Sequence, residues 1–274
     1  MTLVVRLAQL PVRQGRFEEN LTRIAAATAA AADDGADLVV LPQYAVTGYP
    51  SGEVLSALVG RGDELTHRLA TLAAEHAIAI ACSLPVGSDA ASYADITYIH
   101  GADGHRLGAY QRISKFWRED GCVSGDRLCL VEIRDTTVGF LAGDDIYFPE
   151  IVGGLAAGRA SAVICLTYNA THRLGNAFST KDLLPCLATA HAAIHGVDFM
   201  LCAATGTIDL DDGQSIIAGA NLVPSTCAFS ISQGGFIGCA PGEPGITLRV
   251  EPANLAFFRH MCRREKGIRF EKEV

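Results

Sequence analysis

At 274 residues, with 49% apolar and 19% charged side chains, the chain can bury a self-supporting core, which excludes a disordered polymer and points to one large domain. A formal net charge of -8 excludes a surface built for nucleic acid or an anionic membrane, since phosphate binding needs clustered Lys and Arg; small molecules or proteins are the expected partners. Nine cysteines without a C-x-x-C pair read as reduced, mostly buried thiols, and the lack of a signal-peptide pattern or a run of about 20 apolar residues sets the expectation of a cytoplasmic protein.

Leu3 to Ala8 reads as a strand and Phe17 to Ala32 as an Ala-rich helix, stopped at Asp33-Asp34-Gly35. Ala36 to Pro42 is the next buried strand, so the chain opens on a β-helix-β unit, which predicts parallel neighbours and an α/β architecture. After a Gly/Pro loop over 48–52 come a helix at about Glu64 to His76 and a strand at Ile78 to Cys82. Ile96 to His100, the turn Gly101-Ala-Asp-Gly104, and Arg106 to Tyr110 form a predicted hairpin. A polar stretch over Asp120 to Asp126 precedes strands at Leu128 to Ile133 and from Val138 onward. A short helix after Glu150 leads to the strand Ala162 to Leu166, the loop Thr167 to His172, a helix over Lys181 to His195 and the strand Asp198 to Cys202. Further strands are expected around Leu222 and at Ala228 to Ile231. Residues 1–251 form the predicted domain; residues 252–274, rich in both charge signs, are expected to be an arm to a neighbouring subunit or a solvated tail.

Val138-Gly-Phe-Leu-Ala-Gly-Asp-Asp-Ile-Tyr-Phe-Pro-Glu150 is an apolar strand that ends at a turn carrying two carboxylates, where α/β sheets hold their ligands. The run resembles the nucleophile strand of the nitrilase superfamily of carbon-nitrogen hydrolases, V-G-x-x-I-C-x-D-x-x-F-P-E, at Val138, Gly139, Asp145, Phe148, Pro149 and Glu150, with Gly143 at the cysteine position. Leu7-Ala-Gln-Leu-Pro11, Asn20 and the stretch from Gly35 to Pro50 are similar to the family's opening, closest to the glutaminase domain of glutamine-dependent NAD synthetases, with Gln43 at the glutamate position. Tyr110-Gln-Arg-Ile-Ser-Lys115 resembles the motif that carries the lysine, and places Arg112 there. Asn169-Ala-Thr171 and Gly219-Ala-Asn221 resemble two later segments. The resemblance covers about residues 3 to 250 and implies a four-layer α-β-β-α sandwich with two mixed sheets, and dimers or larger assemblies paired across helices near the site.

In that family the glutamate is a base, the lysine stabilises the tetrahedral oxyanion, and the cysteine forms a thioester. The three replacements can be judged by their own chemistry. A carboxamide such as Gln43 cannot take up a proton near neutral pH. Glycine has no nucleophile. Arginine keeps a fixed charge and a planar fork suited to an oxyanion or carboxylate. Losing members of a nucleophile-base unit costs on the order of 10⁴ to 10⁶ in rate in serine hydrolases, so thioester chemistry is not expected at this site.

Asp144 and Glu119 are the candidates for a rewired base, with strand alternation expected to send Asp144 and Asp145 in different directions. Removing the side chain at Gly143 is expected to open room for a ligand group or a water. Gln43, Arg112, Gly143, Asp144, Tyr147, Tyr168, Asn169 and His172 make the candidate ligand set; the blander roles are a capped polar group for Gln43, core packing for the tyrosines and neither base nor ligand contact for the loop His172. Lys115 is the candidate to replace the missing ammonium if the register slips, and Cys122, in a polar loop, is the cysteine to test for reactivity; Cys165 reads as core. No spacing suggests a metal and no phosphate-cradling Gly-rich loop occurs, so no cofactor is expected. Three readings follow. The first is a pseudoenzyme that binds a small carboxylate or amide or serves as a non-catalytic partner. The second is an enzyme with cysteine-independent chemistry on a small C-N or carboxylate substrate in a biosynthetic pathway. The third is a C-N hydrolase with a displaced nucleophile.

Overall fold

The computed structural model describes residues 1–87, 92–115, 121–169, 180–208 and 221–261. In chain order, β1 (Leu3–Ala8), α1 (Phe17–Asp33), β2 (Leu38–Val40), α2 (Gly52–Leu58), α3 (Gly62–His76) and β3 (Ala79–Val86) precede the hairpin β4 (Ala94–His100) and β5 (Arg106–Gln111). β6 (Cys129–Ile133) and β7 (Thr136–Ala142) then run into a 3₁₀ turn (Gly143–Tyr147), α4 (Pro149–Ala157), β8 (Ala162–Thr167), α5 (Thr180–His195) and β9 (Asp198–Ala203). The described chain closes with β10 (Gly206–Thr207), β11 (Asn221–Leu222), β12 (Cys227–Ser230), β13 (Gly235–Gly238), β14 (Gly245–Val250) and α6 (Pro252–Met261).

Two six-stranded mixed sheets result, ordered β14-β1-β2-β3-β4-β5 and β13-β12-β9-β8-β7-β6, beside a small β10-β11 ribbon. The central pairs β1-β2-β3 and β7-β8-β9 are parallel, and the flanking strands antiparallel. β8 and β9 are buried at every residue, as expected of parallel strands covered on both faces. Leu3, Val5, Leu7, Leu38 and Val40 of the first sheet pack into one core with Val138, Phe140, Ile164 and Met200 of the second; Leu184, Ala188 and Ala192 of α5 cover the second sheet's other face. On the outer face of the first sheet, Phe17, Leu21 and Ile24 of α1 and Leu65, Leu69 and Ala73 of α3 repeat at helical spacing against Val39, Leu41 and Ile80. The α-β-β-α sandwich expected from the sequence is therefore the fold.

Some sequence expectations shift. The hairpin's first strand begins at Ala94, two residues before the expected start, which brings Asp95 into the sheet. α2, β13 and β14 carry short or Gly-broken patterns that the sequence reading passed over; β14 nevertheless pairs with all of β1, from Leu3 opposite Val250 to Ala8 opposite Gly245. In the terminal segment, α6 is a helix whose Leu255 is buried and whose Arg259 donates to the carbonyls of Gly196 and Ala160. Residues 262–274 lie outside the described residues.

Candidate functional site

The parallel strands deliver the candidate residues to one end of the sandwich. Gln43 follows β2, Gly143 follows β7, and Tyr168 and Asn169 follow β8, all beyond carboxyl ends of parallel strands, where α/β sheets hold ligands. Arg112 follows β5, and Asp95, near the start of the antiparallel β4, comes to the same end.

Gly143 adopts φ +55°, in the left-handed region. A Cβ built there would lie 3.0 Å from Gln43 Nε2 and 3.3 Å from both Cδ and Nη1 of Arg112. The three positions picked from the sequence thus face one another, and any side chain at 143 would stand between the other two. The room the glycine leaves is thus bounded on two sides by Gln43 and Arg112.

Asp95 organises this group, and the sequence reading missed it. Its carboxylate is fully buried, accepts from Gln43 Nε2 at 2.6 Å, and forms an ion pair with Arg112 Nε at 3.3 Å. Its backbone carbonyl takes the Arg112 N–H. Gln43 completes its own bonding by accepting from the Tyr168 backbone N–H at 3.0 Å. Both Gln43 and Arg112 are nearly inaccessible to solvent. A buried carboxylate between a buried guanidinium and a carboxamide obeys the rule that interior charges must be paired. The signal was available: an acid on the inward face of β4, in phase with Thr97 and Ile99.

The remaining nitrogens of Arg112 also meet groups of the chain. Nη2 donates to Cys122 Sγ at 3.2 Å, and Nη1 lies 3.9 Å from Asp144 Oδ2. Cys122, expected in a polar loop, is buried and bridged to Tyr93. Lys115 is exposed while Arg112 points inward, so the register does not slip and the lysine is not in Arg112's place.

The two acids of the turn do diverge, though through a 3₁₀ turn and not through strand alternation. Asp145 is fully buried and accepts from the Tyr110 hydroxyl at 2.6 Å and the Ser114 backbone N–H at 2.7 Å, with the Ile113 N–H at 3.4 Å. It ties the end of β5 to the turn. Burial, reinforced by Asp145, pushes the Tyr110 hydroxyl far up, so it remains a donor. Asp144 keeps 30% of its side chain exposed. Beside it Tyr147 is 39% exposed, its hydroxyl pushed up to about 12, first by burial and then by Asp144.

Tyr168 packs edge-on against Tyr44 at 5.8 Å and lies 6.3 Å from Tyr49, making an aromatic wall beside Gln43; burial raises its hydroxyl. Asn169 is buried and donates to Ser225 Oγ at 3.2 Å, so its amide joins two loops. Cys165 is core, as expected, with its thiol raised by burial. Glu119 and His172 lie outside the described residues, as do Thr171, Gly219 and the side chain of Asn221. Among the described residues no group of three His, Cys, Asp or Glu side chains could hold a metal ion, and no helix is long and apolar enough to cross a membrane.

A four-layer sandwich with a polar site where the two sheets' parallel strands end is the architecture of the carbon-nitrogen hydrolases. That family's profile matches residues 4–222, and the chain belongs to it. The glutamine-dependent NAD(+) synthetase of Thermotoga maritima is 28% identical over 191 residues, covering 66% of this chain and 32% of that relative. A protein of Pseudomonas protegens described as a hydrolase in the pqqF 5' region is 32% identical over 173 residues, covering 61% of this chain and 60% of its own length. The chain thus spans about a third and three-fifths of these relatives. Among solved structures, a carbon-nitrogen hydrolase from Helicobacter pylori G27 superposes with a TM-score of 0.85 at 16% identity, covering 95% of this chain and 93% of that one. A double mutant of the amidase from Nesterenkonia sp. AN1 in complex with acrylamide gives 0.75 at 22% identity, covering 96% and 95%. At these identities the likeness shows the fold.

Proposed function

We propose that the chain is a pseudoenzyme of the carbon-nitrogen hydrolase family, which holds a small carboxylate or amide ligand at the Gln43–Arg112–Gly143 site and does not hydrolyse it through a thioester. The observation that carries this reading is the meeting of these three side-chain positions around the Cβ site of Gly143, with distances of 3.0 and 3.3 Å. Where the family's chemistry needs a base, a cation and a thiol, the residues present supply a carboxamide, a guanidinium and no side chain. The carboxamide is further committed to Asp95 and Tyr168. Cytoplasmic location, and assembly as a homo-oligomer or beside a homologous active subunit, form part of the same proposal.

The test is incubation with glutamine, small nitriles, ureas and N-carbamoyl compounds, with ammonia release measured with and without iodoacetamide. No release above solvent is expected, while some of the panel should raise the melting temperature of the wild type but not of Arg112→Ala compared with its own ligand-free form. One observation favours a second reading: Cys122 Sγ stands 3.2 Å from Arg112 Nη2, which places a sulfur beside the cation of the candidate site. Ammonia release at enzyme-like rates, stopped by iodoacetamide and absent in Cys122→Ser, would establish Cys122 as a displaced nucleophile and overturn the pseudoenzyme reading.

A further inference from the structure

The lateral edges of the two sheets differ in how they are guarded. An edge strand turns unpaired N–H and C=O groups outward, and soluble proteins cover or charge such edges to prevent pairing with other chains. At β14 the N–H of Arg249 donates to Gln233 Oε1 at 2.9 Å, and that of Glu251, just past the strand, to Ser232 Oγ at 3.0 Å. At β5 the segment 121–125 lies along the strand's end, with Gln111 Nε2 donating to Val123 O and the Gly125 N–H to Arg112 O, both at 2.8 Å. β6 carries the exposed Glu132, with Asp126 and Arg127 before it and Arg134 after it. Among the described residues β13 has none of these devices: it ends its sheet, pairs with β12 alone, and holds no charge, proline or bulge. The N–H of Cys239 donates to Thr226 O, so the alternation of an antiparallel ladder turns Ile237 and Gly235 to β12 as well. Phe236 and Gly238 therefore direct their N–H and C=O groups outward. Phe236 is 53% exposed, and its ring leans over Gly238, with Cε1 3.3 Å from the Cβ position there. Residues 221–242 include no Asp, Glu, Lys or Arg, although the chain carries a net charge of -8.

We propose that β13 is an interface for a second copy of this chain: the two β13 strands pair antiparallel about a twofold axis at Ile237 and join two six-stranded sheets into one of twelve. Charge selects the occupant. Two copies of a chain with net charge -8 repel wherever charged faces meet, and this edge is a surface where they do not, while a strongly charged partner would find nothing there to pair with. The register follows from the strand itself. With Ile237 on the axis, Phe236 of each copy bonds with Gly238 of the other, so each copy donates two hydrogen bonds and accepts two, and each ring faces a glycine and not a second ring. So short a strand makes the contact small and its formation dependent on concentration. The homo-oligomer proposed above thereby gains its face, independently of what the site binds.

Sedimentation velocity over a dilution series, with amide exchange followed by NMR at the same concentrations, tests this. Wild type should pass from one copy to two between about 1 µM and 1 mM. The amides of Phe236 and Gly238 should gain protection as concentration rises, while that of Ile237, already turned to β12, should not change. Phe236→Lys places at an exposed position the charge that guarded edges carry, and should weaken self-association at least about tenfold with the fold kept. A wild type that stays a single copy over that range, a dimer that forms equally well in Phe236→Lys, or one in which the Phe236 and Gly238 amides exchange as fast as in the monomer would each overturn the β13 interface. In the last two cases the chain would still be a homo-oligomer, so failure of this edge is distinct from failure of assembly, and neither bears on the ligand test with Arg112→Ala.

Discussion

At residue 43 the choice of glutamine over glutamate is fixed by its neighbour. Asp95 lies 2.6 Å from Gln43 Nε2 in a region without solvent, so a carboxylate at 43 would meet a second carboxylate where a donor now stands. One of the pair would have to bind a proton or the pair would open, as in any two carboxylates that share a site. Gln43→Glu alone is therefore expected to destabilise the fold by about 2 to 4 kcal/mol at neutral pH. Adding Asp95→Asn should restore most of that loss, since the negative charge beside Arg112 is merely moved from one strand end to another. Urea unfolding of the two single variants and the double variant checks this, and additive losses would show that Asp95 and position 43 are not coupled. Gly143 adds its own constraint. Its φ of +55° disfavours any side chain by about 1 kcal/mol, and the Cβ would press on Gln43 and Arg112.

At the level of elements, the site turn is held from behind. His191 of α5, buried between the rings of His195 at 5.8 Å and Phe199 at 5.5 Å, has its Nε2 2.8 Å from the carbonyl of Ile146. A carbonyl acceptor requires Nε2 to carry the proton, which sets the tautomer. The position of α5 therefore bears on the turn that carries Gly143 and Asp144. α5 is in turn secured at its far end by α6: Arg259 donates through Nε to Gly196 O at 2.8 Å and through Nη2 to Ala160 O, the carbonyls just past the ends of α5 and α4. A cation over two helix C-termini answers both their unsatisfied carbonyls and their dipoles. Gly196 makes the approach feasible, since its φ of +64° ends α5 and a Cβ there would come within 2.8 Å of Arg259 Cγ. Arg259→Ala should lower stability by about 1.5 to 3 kcal/mol, read from urea unfolding, with Arg259→Lys recovering only part because one ammonium cannot span both carbonyls in the same geometry. A loss below about 0.5 kcal/mol would mean that α6 docks through Leu255 alone.

For the molecule as a whole, the sequence carried the architecture well because the sandwich rests on long-period signals: a β-helix-β start, fully apolar parallel strands, and amphipathic α1 and α3. It carried Gln43, Arg112 and Gly143, which the fold brings together, because they stand inside recognisable motifs. Asp95 was legible only through strand register: starting β4 two residues late leaves it in a loop, where an acid needs no partner. How near Gln43 and Arg112 stand to the Cβ site of Gly143 was equally hidden, because it depends on the neighbours' rotamers. Cys122 misled for the converse reason, its polar surroundings in sequence concealing a place in the interior.

The same register logic exposes a second inward acid, Asp198, at the start of β9 and at the opposite end of that strand from the site. It is fully buried, its Oδ1 accepting from the Ser232 N–H at 3.0 Å. Burial raises its pKa above the ordinary 3.8, outweighing the hydrogen bonds from Ser232, Ile231 and Ser230 that pull it down. Arg259 does not reverse this, since burial lowers its own pKa despite the attraction of Asp198. A carboxyl whose folded pKa lies above its unfolded value holds its proton more tightly in the native state. Its contribution to stability is thus fully present below about pH 3.8 and is lost as pH rises through the folded value. Above the unfolded value the raised pKa is therefore a net cost to the fold. Asp198→Asn keeps an acceptor for Ser232 and removes the titration. Relative to wild type it should gain stability between pH 4 and pH 7, by about 1.4 kcal/mol for each unit by which the folded pKa exceeds the unfolded one. Urea unfolding of both proteins across that range measures the difference directly. Parallel stability curves would mean that Asp198 titrates alike in the folded and unfolded chain, and that its hydrogen bonds balance its burial in full.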